Sequence, residues 1–184
     1  AGAVQAYENV RLLLVGDGPE KDNLEDRTKY MNITSKVRFI GMVSYSEVVR
    51  YLAMADFFAT ASVTEVHPLS IIEAMAVGLP ILGIASTGVS DIVEDGATGL
   101  IAREQDLAAF TAKMVRLITD KDLRMKMGQN ARRVSENYDI ERTIKMLLDL
   151  YKEVITEKKK QKHRMKFNLT RMLDRWRGNK DDLS

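Results

Sequence analysis

Short apolar runs alternate along this chain with stretches whose apolar residues recur every three or four positions. Residues 10–15, 37–40, 56–61, 80–84 and 100–102 are compact aliphatic or aromatic runs bounded by Gly, Pro, Asp and Ser, which predicts strands. Helical periodicity occupies 20–31, 45–54, 68–77, 89–94, 104–119, 121–138 and 140–157. Strands that alternate with helices predict an α/β fold: a Rossmann-like parallel sheet flanked by helices on both faces. In such sheets ligands bind outside the carboxyl ends of the strands.

Two stripes define the later helices. Leu107, Phe110, Met114, Leu117 and Ile118 share one helical face, as do Ile144, Leu147, Leu148, Tyr151 and Ile155. Ordinary amphipathicity predicts that both stripes pack into a core. Beyond Glu157 the composition shifts abruptly, which predicts a domain over 1–157 and a basic amphipathic tail over 158–184.

A chain of 184 residues, 45% apolar, is long enough for one domain with its own core. No stretch approaches a transmembrane span. With no cysteine and two histidines, disulfides and thiolate metal sites are excluded, and no metal site is expected. The start, Ala1-Gly-Ala-Val-Gln-Ala-Tyr, reads as the inside of a helix, so the chain is expected to be an N-terminally truncated fragment. The net charge of +2 hides an asymmetry: residues 156–177 carry nine Lys/Arg against two Asp/Glu, a local +7, leaving about −5 elsewhere.

The richest chemistry lies at Ser62-Val-Thr-Glu65-Val-His-Pro68-Leu-Ser-Ile-Ile-Glu73-Ala-Met-Ala-Val-Gly78-Leu-Pro80. A strand precedes it, and Ile71, Ile72, Ala74, Met75 and Ala76 predict a helix packed on the sheet. Pro68 suits the first turn of that helix, where a missing N–H is no loss. One carboxylate then lies on the loop and another in the opening turns. The free amides of the helix end, with its dipole, favour an anion such as a diphosphate, and flanking carboxylates can accept hydrogen bonds from sugar hydroxyls. The combination suits a nucleotide-sugar. Gly16-Asp17-Gly18-Pro19 is not a dinucleotide fingerprint, because the third glycine position is Lys21. No serine triad or cluster of metal ligands is visible.

The Glu65-to-Glu73 segment resembles the Glu-x7-Glu signature of retaining glycosyltransferases with the GT-B fold. Leu12-Leu-Leu-Val-Gly16-Asp-Gly18-Pro19, Val37-Arg-Phe-Ile-Gly41 and Gly88-Val-Ser-Asp-Ile-Val-Glu-Asp-Gly96-Ala-Thr-Gly99-Leu100 follow the same family in order and spacing, over roughly residues 8–155. The resemblance implies the C-terminal, donor-binding half of such an enzyme. It implies Glu65 at the donor sugar as the catalytic carboxylate and Glu73 on the ribose hydroxyls. Backbone amides around Pro68, Leu69 and Ser70 would face the diphosphate, Gly16 would line the nucleotide site, and Arg38 and Met42 would lie at the base. Thr87-Gly88-Val89 would lie near the donor cleft. His67 can donate to sugar or phosphate, although an isolated histidine is more often structural. Where the family usually has Gly-Phe or a similar pair after the first glutamate, this chain has Val66-His67, which alters either the loop backbone or the sugar pocket.

The activity so implied is retaining, metal-independent transfer from a nucleotide-sugar, UDP-sugars being the common choice, with no cofactor besides that donor. An acceptor-binding half would precede this one. In the tail, Met165, Leu169, Met172, Leu173 and Trp176 fall on one helical face, with most basic residues elsewhere. That pattern suits an anionic membrane surface over 158–177, and equally a solvated tail or a helix docked on the missing half. Nucleic acid is not an expected partner, since no base-reading motif accompanies the charge. The expected location is the cytoplasm, with the inner face of a membrane added by the tail, and a lipid-linked or cell-envelope acceptor fits that location. Two other functions share these features: a non-enzymatic, membrane-associated binding domain with a degenerate sugar site, and a nucleotide-sugar epimerase of the same architecture.

Overall fold

The computed structural model describes residues 2–181, the side chains of residues 162–164 and 166–181 excepted. The chain divides into two compact units, Ala1–Tyr138 and Asp139–Ser184. The first contains α1 (Gly2–Ala6), β1 (Leu12–Val15), α2 (Lys21–Tyr30), β2 (Val37–Gly41), α3 (Tyr45–Met54), β3 (Phe58–Ala59), α4 (Leu69–Ala76), β4 (Ile81–Ile84), α5 (Thr87–Ile92), β5 (Gly99–Ala102), α6 (Leu107–Thr119) and α7 (Lys121–Ser135). Every strand and helix expected in this stretch is present, with ends displaced by a few residues.

All strand pairings are parallel, as the alternation predicts. β1 lies beside β2, with Leu12 opposite Val37 and Leu14 opposite Phe39. β3, β4 and β5 pair in that order, with Phe58 opposite Ile81 and Ile81 opposite Gly99. The strands thus form two parallel sheets where one was expected. Leu12 and Val15 of β1 remain 36% and 40% exposed, although a four-residue aliphatic run is typical of a strand covered on both faces.

β4 shows how the core is built. Successive side chains of a strand point to opposite faces, and neighbouring Ile81 and Leu82 are both fully buried. Ile81 joins Ile71, Ala74 and Met75 of α4, Val89 and Ile92 of α5 and Ala131 of α7. Leu82 joins Leu100 of β5, Leu117 of α6 and Met127 of α7. The three-stranded sheet is therefore covered on both faces. Each fully buried aliphatic side chain contributes about 1.5–3 kcal/mol. The stripe expected on α6 is borne out at Leu117, Phe110 and Met114, whereas Leu107 is exposed. Helix starts are fixed locally: Asp106 accepts from the Ala109 N–H at 2.8 Å and Asp120 from the Leu123 N–H at 2.9 Å.

The second unit is one helix, α8 (Ile140–Asp181), capped by Asp139, which accepts from the amides of Glu141 at 2.9 Å and Arg142 at 3.2 Å. The helix passes Glu157 without a break, and the division between units falls at Tyr138 instead. The reason is that the composition changes there in charge and not in helix propensity: Lys, Gln, Arg and Met are all good helix formers. Ile144, Leu147, Leu148, Tyr151 and Ile155, expected in a core, are 46–56% exposed. No helix among the described residues is long and apolar enough to cross a membrane.

One contact sets how closely α4 and α7 approach. Gly78, just after α4, has φ +89°, and a Cβ on Gly128 of α7 would overlap the Gly78 carbonyl oxygen and lie 3.2 Å from its carbon. Gly128→Ala in a helix would ordinarily stabilise by about 1 kcal/mol. Here it is expected to destabilise by about 1–3 kcal/mol, read as a lower denaturation midpoint of the purified chain.

Candidate functional site

The site is assembled at the carboxyl ends of the strands. After β3, the Thr60 N–H still pairs with the Leu82 carbonyl at 2.9 Å, and the chain then leaves the sheet through Ser62 to His67. Pro68 is buried at the start of α4, with φ −74°. The Ile71 N–H closes the first turn on the Pro68 carbonyl at 3.1 Å. The amides of Leu69 and Ser70 stand ahead of that bond, where a helix leaves its donors unsatisfied. Both residues are exposed, and no acidic side chain occupies the first turn to compete for the positive end of the dipole. Ile71, Ala74 and Met75 hold the opposite face of α4 in the core, so this helix end is rigidly mounted.

Glu65 is exposed on the loop, and its backbone is gripped from the α5 side. The Gly88 N–H donates to the Glu65 carbonyl at 3.1 Å. The approach is so close that a Cβ on Gly88 would lie 2.7 Å from the Val66 carbonyl oxygen and nearer still to that of Glu65. Simple turn formation accounts for Gly88 in the sequence; the structure adds this backbone contact. Val66 points to solvent, 78% exposed. The ring of His67 packs against Tyr138 with centroids 6.1 Å apart and planes tilted by 52°. Tyr138 in turn donates to the Asp91 carbonyl at 3.4 Å. His67 therefore has a packing partner within the fold.

Glu73 is half-buried in the second turn of α4. The phenol of Tyr45, at the first position of α3, has its pKa raised above the usual value by hydrogen bonding to Glu73 and by the charge of that carboxylate. Nothing in the sequence pairs these two residues, which lie on different helices. Tyr45 is placed by a capping box: Glu47 accepts from the Ser44 N–H at 3.0 Å and from the Ser44 hydroxyl at 2.6 Å.

Gly16 and Gly41 end β1 and β2. They have φ +132° and +78° and are joined by a hydrogen bond from the Gly16 N–H to the Gly41 carbonyl at 2.9 Å. Met42 follows at this corner, 77% exposed. Arg38 does not: it is the second residue of β2, opposite Leu13, and a strand rise of about 3.3 Å per residue puts its backbone roughly 13 Å from that of Met42. The structure thus brings Gly16 and Met42 together and leaves Arg38 toward the other end of the strand. Among the described residues, no cluster of three His, Cys, Asp or Glu is placed to hold a metal.

A domain of parallel strands flanked by helices in this order has the architecture of a GT-B glycosyltransferase domain. Residues 3–134 match the profile of glycosyl transferases group 1, and the chain belongs to that family. It is 31% identical over 166 residues to the N-acetyl-alpha-D-glucosaminyl L-malate synthase of Bacillus anthracis, covering 86% of this chain and 43% of that protein. It is 32% identical over 109 residues to the alpha-monoglucosyldiacylglycerol synthase of Streptococcus pneumoniae, covering 59% of this chain and 25% of the synthase. In fold it resembles Anabaena HepE, crystallised in complex with UDP, with a TM-score of 0.75 at 22% identity, covering 83% of this chain and 43% of HepE. The chain spans less than half the length of the relatives it matches.

The capping box at Tyr45 carries a pH signature. Hydrogen bonds from the Ser44 hydroxyl and N–H hold the Glu47 carboxyl below its ordinary value of 4.5. A depressed folded-state pKa gives stability that is present above 4.5 and lost as pH falls through the lowered value. Glu47→Gln is expected to flatten that part of the pH dependence, measured as thermal midpoints of both proteins between neutral and acid pH.

Proposed function

We propose that this chain is the donor-binding half of a retaining glycosyltransferase that uses a UDP-sugar. The observation that carries the reading is the start of α4, with its open Leu69 and Ser70 amides between Glu65 on the preceding loop and Glu73 one turn further on. The amides and dipole bind the diphosphate. Glu73 accepts hydrogen bonds from the ribose hydroxyls, and Glu65 lies at the donor sugar. Gly16 and Met42 form the base side of the site, where a positive φ keeps position 16 free of a side chain. The UDP complex of HepE supports the choice of donor.

In the proposed reaction an acceptor hydroxyl bonds to the anomeric carbon as the bond from that carbon to the diphosphate oxygen breaks, and the hydroxyl's proton passes to the departing diphosphate. Attack on the face from which the diphosphate leaves retains the configuration. The departing electron pair stays on the diphosphate, where fixed amides aimed at the developing charge lower the barrier. The acceptor is bound by a further half of the enzyme.

The lipid-linked acceptor rests on α8. Its first turns expose an apolar stripe, and the basic run 158–177 follows on the same helix. Such a helix binds anionic bilayers, each Lys or Arg adding about 1 kcal/mol near the surface. The similarity to a glucosyldiacylglycerol synthase supports the same acceptor class.

Expressed alone, the 184 residues are expected to give no sugar transfer; measurable turnover would overturn the two-half reading. In the complete enzyme, Glu73→Ala is expected to weaken UDP binding about 10- to 100-fold by calorimetry, the loss of hydrogen bonds to a charged group. A degenerate, non-enzymatic site would instead show no saturable UDP binding. Deletion of 158–184 is expected to abolish salt-sensitive partitioning of the complete enzyme onto phosphatidylserine-containing vesicles.

A further inference from the structure

Both sheets lie in the compact unit that ends at Tyr138, yet each has a strand with one flank unpaired. Among the described residues β1 bonds to β2 on one side, and β3 bonds to β4 on one side. In β3 the Phe58 N–H donates to the Pro80 carbonyl at 3.0 Å, and beyond it the Thr60 N–H donates to the Leu82 carbonyl at 2.9 Å. Main-chain groups of successive strand residues point to opposite sides, so Ala59 and Ala61 turn theirs away from β4. Both alanines are exposed.

Helices reach across both faces of the fold from one sheet to the other. On one face α3, which connects β2 to β3, places Leu52 in the cluster around Ile81 and packs on α4. On the other, α1 packs on α6, the helix that covers β4 and β5 on the Leu82 side, and its Ala3 and Val4 are buried. The same α1 is tied to the two-stranded sheet. Lys36, immediately before β2, donates from Nζ to the carbonyls of Val4 at 3.0 Å, Gln5 at 3.3 Å and Tyr7 at 2.8 Å. Parallel strands that share covering helices and do not bond each other leave room for a strand between them. The space is apolar on both faces: Phe57 and Phe58 reach the two clusters but are only partly buried, and so are Leu13 and Leu14 of β1.

We propose that a strand of about four to six residues, from the polypeptide that leads into α1 in the complete enzyme, inserts in parallel between β1 and β3. It joins the two-stranded and three-stranded sheets into one of six strands. With α1 and β1 it makes a right-handed β-α-β unit, in which α1 already stands as the crossover helix. Covered on both faces, it is a continuous apolar run without alternation. The matched relatives are long enough to supply it, since this chain spans less than half of their length. An intact second copy does not fit, because a folded edge strand carries its own covering helices and α1 and α3 already occupy those places. The winding of the sheet reverses at the inserted strand. Its carboxyl end falls between the Gly16–Gly41 corner and the loop of Glu65, where parallel sheets bind ligands. The strand is present or absent whatever the site binds, so the donor reading and this one fail separately.

The test is hydrogen exchange read at single amides in the complete enzyme, at a low and a high protein concentration. The amides of Ala59 and of the apolar run that leads into α1 are expected to exchange at least about 100-fold more slowly than those of a free peptide, equally at both concentrations. A nuclear Overhauser contact is expected between the Ala59 amide proton and a residue of that run. Exchange of Ala59 at the free-peptide rate would overturn the proposal, because the space is then empty. A missing contact, or one to a different segment, overturns the identity of the strand. Protection that appears only at the high concentration, together with a doubled mass by light scattering, assigns the space to a second copy and overturns the proposal as well.

Discussion

Double coverage of β4 is the constraint from which the site follows. Ile81 and Leu82 are neighbours, both fully buried, and facing different clusters. That arrangement is possible only if helices close both faces of the sheet, so α4 must lie flat on it with Ile71, Ala74 and Met75 inward. Once those three residues are buried, the start of α4 has one place to be: beyond the carboxyl end of the strands, with its first amides turned to solvent. Loss of packing on the Ile81 side would therefore reach the start of α4 before it reached most of the surface.

The site itself is assembled from backbone more than from side chains. A free helix start, two glycines with positive φ at the β1 and β2 ends, and one close approach at Gly88 define it. Side chains enter at Glu65, Glu73 and Tyr45. Backbone groups cost no rotamer entropy when a ligand arrives.

Much of this was legible in the sequence, and the misses have physical causes. The strands could be read because parallel, buried strands are continuous apolar runs, as at residues 80–84. Glu65, Pro68 and Glu73 could be read because a proline in a helix opening and a carboxylate spacing are local features. The contact of Tyr45 with Glu73 could not, since it joins two helices 28 positions apart and each residue looks ordinary in its own helix. The role of Gly88 was hidden because a glycine after a strand is already explained by a turn. Arg38 and Met42 were read together from the family resemblance, whereas an extended strand carries residues four apart to different ends. The division at Tyr138 leaves no mark in composition, whereas the charge change at Glu157 is conspicuous there and irrelevant to helix continuity.

The exposed flank of β1 has a wider consequence. Among the described residues, Leu12 and Val15 lie on a short aliphatic strand that pairs with β2 alone, and β3 is likewise the outermost strand of its own sheet. Open edges of this kind recruit extended segments from other molecules. A preparation of these residues by themselves should consequently cluster as its concentration rises, and an added peptide able to lie alongside β1 should act as a solubiliser.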